Sequence, residues 1–186
     1  MKKLLIGLLM SVASTLALAD NIIIEGSTAE GLYGKPDAQG MFMAYGHKFN
    51  NNLNGDFQYV TSQSQGTNTM NTRLDFGAIP NVDLGPVTAY SRLAVGRKYN
   101  SSPTLGNFDY YSVEPGIIVP LGAGFKAKIG WRYRTAFDDK NLDQTRTWRI
   151  GGSYAITEQD AIGLRFDRIR GDLNQNLLAF SYIRSF

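Results

Sequence analysis

The chain has 186 residues, 43% of them hydrophobic, no cysteine and a formal charge of +3. That length suits one domain, and the missing cysteines exclude a disulfide framework, a thiolate metal site and a cysteine nucleophile. Without Lys2 and Lys3 the 19 Lys and Arg become 17 against 16 Asp and Glu, so the basic balance fades and no nucleic-acid partner is expected.

The first element is an export signal. Met1, Lys2 and Lys3 form a positive start, Leu4 to Leu16 an apolar run, and Ala17-Leu18-Ala19 a small-x-small cleavage pattern. Residues 1–19 are therefore expected to be a signal peptide cleaved after Ala19, leaving residues 20–186 as the mature domain. The apolar run is shorter than the roughly 20 residues a spanning helix requires, so it is not read as an anchor.

From there the sequence alternates between strand and turn. Ten segments rich in β-branched and aromatic residues are predicted at 22–33, 39–49, 55–64, 69–79, 87–99, 108–119, 125–137, 145–156, 161–171 and 175–186. Clusters of Gly, Asn, Asp and Pro separate them, among them Gly34-Lys35-Pro36-Asp37, Pro80-Asn81-Val82-Asp83, Ser101-Ser102-Pro103 and Asp138 to Asp143. In the fifth segment Val87, Ala89, Leu93 and Val95 alternate with Tyr90, Arg92, Ala94, Gly96 and Lys98. In the sixth, Pro115 cannot donate to a ladder, so a bulge is expected there. In the seventh, Phe125, Ala127, Ile129, Trp131, Tyr133 and Phe137 alternate with Lys126, Lys128, Gly130, Arg132 and Arg134. The eighth sets Trp148, Ile150 and Tyr154 against Arg149, Gly151 and Ser153, and the ninth sets Ile162, Leu164 and Phe166 against Gly163, Arg165 and Asp167.

Successive strand residues point to opposite faces, so each segment has one apolar face and one polar face. A soluble sandwich shows the same period. Three features favour a membrane: the segment lengths suit a tilted crossing, aromatics such as Phe49, Phe57, Tyr99, Phe125, Phe137 and Tyr154 gather near segment ends, and Phe186 closes a strand carrying Leu178, Phe180 and Tyr182 at alternate positions. The fold class expected is all-β: a transmembrane antiparallel up-and-down β-barrel of about ten strands in the outer membrane. Its partners would be outer-membrane lipid and, through the strand ending in Phe186, the barrel-assembly machinery. A monomer is expected. Arg184 interrupts the last apolar face and is expected to snorkel at the rim.

The same phase assigns inward bases at Arg73, Arg92, Lys98, Lys126, Lys128, Arg132, Arg134, Arg149 and Arg165, and inward acids at Glu25, Asp56, Asp75, Glu114 and Asp167. A basic stripe along an aqueous bore would concentrate small anions and grip carboxylates. Arg132, Arg134 and Arg149 are expected to set the selectivity. The alternative is a closed structural or adhesion-type barrel whose charges only neutralise one another.

Ser112-Val113-Glu114-Pro115-Gly116, Gly130-Trp131-Arg132-Tyr133-Arg134, and the strands from Trp148 to Tyr154 and Ile162 to Gly171 resemble the oligogalacturonate-specific monomeric porin family, which includes a sialic-acid channel. The resemblance implies a twelve-stranded barrel, a pore lined with arginines to which Arg132 and Arg134 would belong, and passage of acidic oligosaccharides. This chain departs from that pattern by lacking one hairpin. Catalysis is not expected: the sole histidine, His47, lies at the opposite mouth from the acidic pair Asp138-Asp139, and an acid–base pair must meet. No metal-ligand spacing or phosphate cradle occurs, so no cofactor is expected.

Overall fold

The computed structural model describes residues 20–33, 37–66, 69–102, 106–138 and 143–186. The expected signal peptide, residues 1–19, lies outside them, as do turn residues Gly34, Lys35, Pro36, Pro103 and Asp139. Ten strands form: β1 (Asn21–Gly31), β2 (Ala38–Asn50), β3 (Leu53–Ser64), β4 (Met70–Asp83), β5 (Thr88–Asn100), β6 (Phe108–Gly122), β7 (Phe125–Ala136), β8 (Thr145–Ala155), β9 (Asp160–Gly171) and β10 (Gln175–Ser185). Each pairs antiparallel with its chain neighbours. β1 also pairs with β10, from Asn21 opposite Ser185 to Gly31 opposite Gln175, which closes the barrel. Closure leaves no unpaired edge, the condition a sheet must meet in hydrocarbon. The twelve strands implied by the family likeness are not formed; the count is ten.

An even strand count brings the start of β1 and the end of β10 to one mouth, here called the terminus end. The β1–β2, β3–β4, β5–β6, β7–β8 and β9–β10 connections lie at the other mouth, the loop end.

Two prolines sit differently from the sequence expectation. Pro80, taken as a turn residue, lies inside β4, which runs on to Asp83. Pro115 produces no bulge. Pairing of β6 with β7 skips Glu114 and Pro115 and then resumes in the same register, with Val113 opposite Tyr133 and Gly116 opposite Gly130. Pairing of β4 with β5 skips Ile79 and Pro80 in the same way. A lost proline donor is absorbed by a local gap in one ladder while the ladder on the other side, such as Ser91 opposite Pro115, continues. The register shift in β6 falls later, between Pro120 and Gly122 at the turn.

The outer wall is a belt of exposed apolar side chains, among them Phe76, Leu93, Val95, Ile129, Ile150, Leu164, Phe166, Leu178 and Phe180. Aromatic groups flank it. Toward the terminus end, Tyr45 stacks near Phe57 at 6.3 Å and Phe125 lies against Tyr154 at 4.5 Å between ring centroids. Toward the loop end, Tyr111 meets Phe137 at 5.3 Å and Tyr133 at 6.4 Å. This is the pattern of a wall that faces lipid with aromatic girdles at both interfaces. An arginine at Phe76, midway along β4, is expected to cost about 2–4 kcal/mol of stability in a bilayer. Phe76→Leu should cost far less, and urea unfolding from lipid vesicles compares the two.

Candidate functional site: the barrel interior

Residues directly opposite in an antiparallel ladder share a face. The pairs Arg73–Lys98, Arg92–Glu114, Ser112–Arg134, Gly130–Arg149, Arg149–Asp167 and Gly151–Arg165 therefore lie on one face, and Ile118–Lys128 and Pro120–Lys126 continue it. That face is the inner one: Glu25, Asp75, Arg92, Glu114, Arg134 and Asp167 are buried while their apolar chain neighbours are exposed outside. All nine bases assigned inward from the sequence share it, as do Glu25, Asp56, Asp75, Glu114 and Asp167.

The charges are organised into three groups. Arg92 Nε donates to Asp56 Oδ2 at 2.8 Å and its Nη2 donates to Asp75, whose other oxygen accepts from Tyr110 Oη at 2.6 Å. Arg149 bridges Glu114 Oε2 at 2.7 Å and both oxygens of Asp167 at 2.9 and 3.0 Å. Arg165 approaches the same Asp167 at 3.4 Å and donates to Glu25 Oε1 at 2.6 Å. Near the loop end, Arg134 Nη2 donates to Asp143 Oδ1 at 2.9 Å and Lys98 Nζ donates to the same oxygen at 3.2 Å. Arg92 to Asp56, Tyr110 to Asp75, Arg149 to Glu114 and Arg165 to Glu25 each reach past one intervening strand. The network thus laces the wall beyond nearest neighbours.

Asp143 is the inward acid that alternation missed. It lies in the β7–β8 connection, where the period of two no longer applies, and the only sequence cue is the acidic run beginning at Asp138. Burial alone would raise its carboxyl, but Arg134, followed by Lys98 and Arg73, outweighs burial and holds the group below the ordinary carboxylate range. A carboxyl depressed in the folded state adds stability that is present above its unfolded pKa and lost as pH falls through the folded value. The barrel is therefore expected to lose stability on strong acidification. Asp143→Asn should lower stability at neutral pH and shrink that acid-side loss, which urea midpoints at neutral and acid pH will read.

Four inward bases stand outside the network. Among the described residues, Arg73, Lys126, Lys128 and Arg132 form no ion pair, whereas the six carboxylates of the network are all engaged; Lys48 and Asp83, in the same phase at the terminus end, are exposed. Lys126 is exposed near the terminus end. Lys128 Nζ lies 4.4 Å from the centroid of the Tyr90 ring, a cation–π contact. Arg73, Lys128 and Arg132 are half-buried. Arg132 Nε is buried and makes no hydrogen bond. Along β7, Lys126, Lys128 and Arg132 rise from the terminus end toward Arg134 at the loop end, and Arg73 stands on β4 beside Lys98.

Small residues keep the large side chains near the wall. Gly116 and Gly130 face each other across β6 and β7, and the Tyr90 hydroxyl lies over both. A Cβ at Gly130 would come within 2.8 Å of that oxygen. Any side chain there would push Tyr90 inward, and with it the hydrogen bond of 3.4 Å from its hydroxyl to Glu114.

The closed antiparallel barrel has counterparts among solved structures. The KdgM porin in complex with disordered oligogalacturonate aligns at TM-score 0.50 and 10% identity, over 89% of this chain and 99% of that one. The NanC porin aligns at TM-score 0.51 and 8% identity over the same shares. This chain has the fold of an outer-membrane β-barrel. The translocator domain of autotransporter NalP from Neisseria meningitidis aligns at TM-score 0.56 and 9% identity, over 95% of each chain. At these identities the likeness is one of fold. No protein-family model and no curated protein matches the sequence.

The other residues singled out from the sequence lie at the mouths. His47 is exposed on the outer wall at the terminus end, with Nδ1 3.6 Å from Asp20 and its ring edge-on to Phe49 at 4.9 Å. Asp138 is at the opposite mouth. Arg184 faces outward at the terminus end and donates to Asp160 Oδ1 at 3.0 Å, so its charge is met at the rim rather than in hydrocarbon.

Proposed function

We propose that this protein is an outer-membrane channel through which small acidic solutes, acidic saccharides among them, diffuse along a basic bore. The observation that carries the reading is the imbalance inside the barrel. Among the described residues ten bases meet seven acids on the inner face, Lys48 and Asp83 at the terminus end included; six of the acids are held in ion pairs, and Arg73, Lys126, Lys128 and Arg132 are left with donors for a passing carboxylate. A column of such groups from mouth to mouth offers an anion several weak sites, which lets it enter and still leave. The paired groups hold the wall; the unpaired ones meet the solute. Residues 1–19 act as a cleaved export signal, the chain ends face the periplasm, and the strand ending in Phe186 is read by the assembly machinery. The barrel works as a monomer and performs no chemistry on its cargo.

Liposome swelling tests the reading. Vesicles carrying the folded barrel should swell faster in sodium galacturonate than in an iso-osmolar neutral sugar of similar size. Equal rates, or no swelling in either, would overturn it. No swelling would favour the second reading, a closed structural barrel, for which the ion pairs that reach past intervening strands are the supporting feature.

A further inference from the structure

The outer wall carries one patch of positive charge that the bore does not use. Arg146 on β8 and Arg168 and Arg170 on β9 point outward, in phase with Trp148 and Phe166. Arg146 stands directly opposite Arg170, and Arg168 is on the diagonal. Like charges directly opposite on a sheet repel and destabilise the pairing. No carboxylate relieves them: among the described residues none of the three forms an ion pair. The nearby acids are otherwise placed. Asp172 accepts from Gln144 N at 2.5 Å, and Glu30 stands beyond β10, on the far side of Asn176.

Two further features point to what meets this patch. The guanidinium of Arg170 is held in place, donating to the carbonyl oxygens of Ile169 at 2.6 Å and Gln175 at 3.2 Å and to Asn176 Oδ1 at 3.3 Å. Directly toward the barrel middle lie both tryptophans of the chain, Trp131 opposite Trp148, with Trp148 opposite Arg168. Tryptophan marks the membrane interface, and Arg146 and Arg170 sit two residues nearer the loop end, about 7 Å at the rise of a strand. That is the depth of lipid headgroups. The other outward arginines at the rims behave differently: Arg97 is 3.3 Å from Asp109 and Arg184 is 3.0 Å from Asp160.

We propose that Arg146, Arg168 and Arg170 form a binding site for the phosphate groups of an anionic lipid headgroup in the leaflet at the loop end. The phosphate supplies the charge that the sheet lacks, and its oxygens match the guanidinium forks. The site is on the outer wall and is independent of whether the bore conducts.

Native mass spectrometry of the folded barrel, released from micelles containing bisphosphorylated lipid A or its dephosphorylated form, tests this with identical acyl chains. The wild-type barrel should retain the phosphorylated lipid and not the dephosphorylated one. In Arg146→Gln/Arg168→Gln/Arg170→Gln retention should fall by about tenfold or more, the loss of one or two charge-assisted hydrogen bonds. Arg97→Gln, at the paired rim site, should retain it like wild type. Heat-modifiable gel migration establishes that each variant is folded, and the single variants Arg146→Gln and Arg168→Gln carry the comparison if the triple variant is not. Excess inorganic phosphate should displace little lipid. Equal retention of the two lipids, undiminished retention by the folded variants, or complete displacement by inorganic phosphate would each overturn the proposal.

Discussion

Replacing Lys128 and Arg132 together with glutamate is expected to reverse the ion preference of the barrel from anions to cations. Each substitution removes a positive charge and adds a negative one, so the inner face changes from ten bases over seven acids to eight over nine. Among the described residues neither holds an ion pair, so the change adds charge to the bore without orphaning a carboxylate, and gives up only the Lys128 contact with the Tyr90 ring. Field lines are focused in a narrow passage with low-dielectric walls, so a small change in net charge there has a large effect on which ion enters. Bilayer recordings in a salt gradient read the sign directly. A double variant that keeps the wild-type preference would show that these two residues do not face the conducting path. The choice of residues differs from what alternation alone recommends. Arg134 and Arg149 share the inner face with Arg132, but each is already neutralised, by Asp143 and by Glu114 with Asp167. Changing them tests the wall before it tests the bore.

That difference sets the second large effect. Arg149→Leu is expected to destabilise the barrel by about 3–5 kcal/mol, the cost of breaking a buried ion pair by removing one partner. Glu114 and Asp167, 2% exposed each, would lose the guanidinium that lies between them, leaving Asp167 with Arg165 at 3.4 Å and Glu114 without an ion pair. Arg132→Leu, on the neighbouring strand, should cost little, because among the described residues no carboxylate loses a partner with it. Urea unfolding of the two variants in the same lipid, read by tryptophan fluorescence, measures the gap. Equal costs would mean that the distinction between paired wall and unpaired bore has no energetic basis.

Much of this was legible in the residue order because a strand exposes its phase. Phe125 to Phe137 alone states which residues face lipid and which face the interior, and β7 runs from Phe125 to Ala136. A slip of one residue would bury Trp131 and expose Arg132 and Arg134 to lipid, so the register is strongly fixed. What the phase does not carry is the identity of partners two strands away. Nothing in the spacing of Arg149 and Glu114, or of Arg165 and Glu25, announces that they meet, because those contacts depend on barrel curvature. Asp143 was hidden for a related reason: a connection has no period. Pro80 misled because proline usually marks a turn, and here the neighbouring ladder tolerates a gap. The outward pair Arg146 and Arg170 becomes notable only once register places them opposite each other.

Whether the unpaired bases of the interior surround an open, water-filled path is read most directly by one quantity. That quantity is the reversal potential of the wild-type barrel in a planar bilayer across a potassium chloride gradient. Measurable conductance is expected, with a potential whose sign reports chloride as the more permeant ion. A bilayer that stays silent with folded protein inserted, or a potential of the cation-selective sign, would contradict a basic conducting bore.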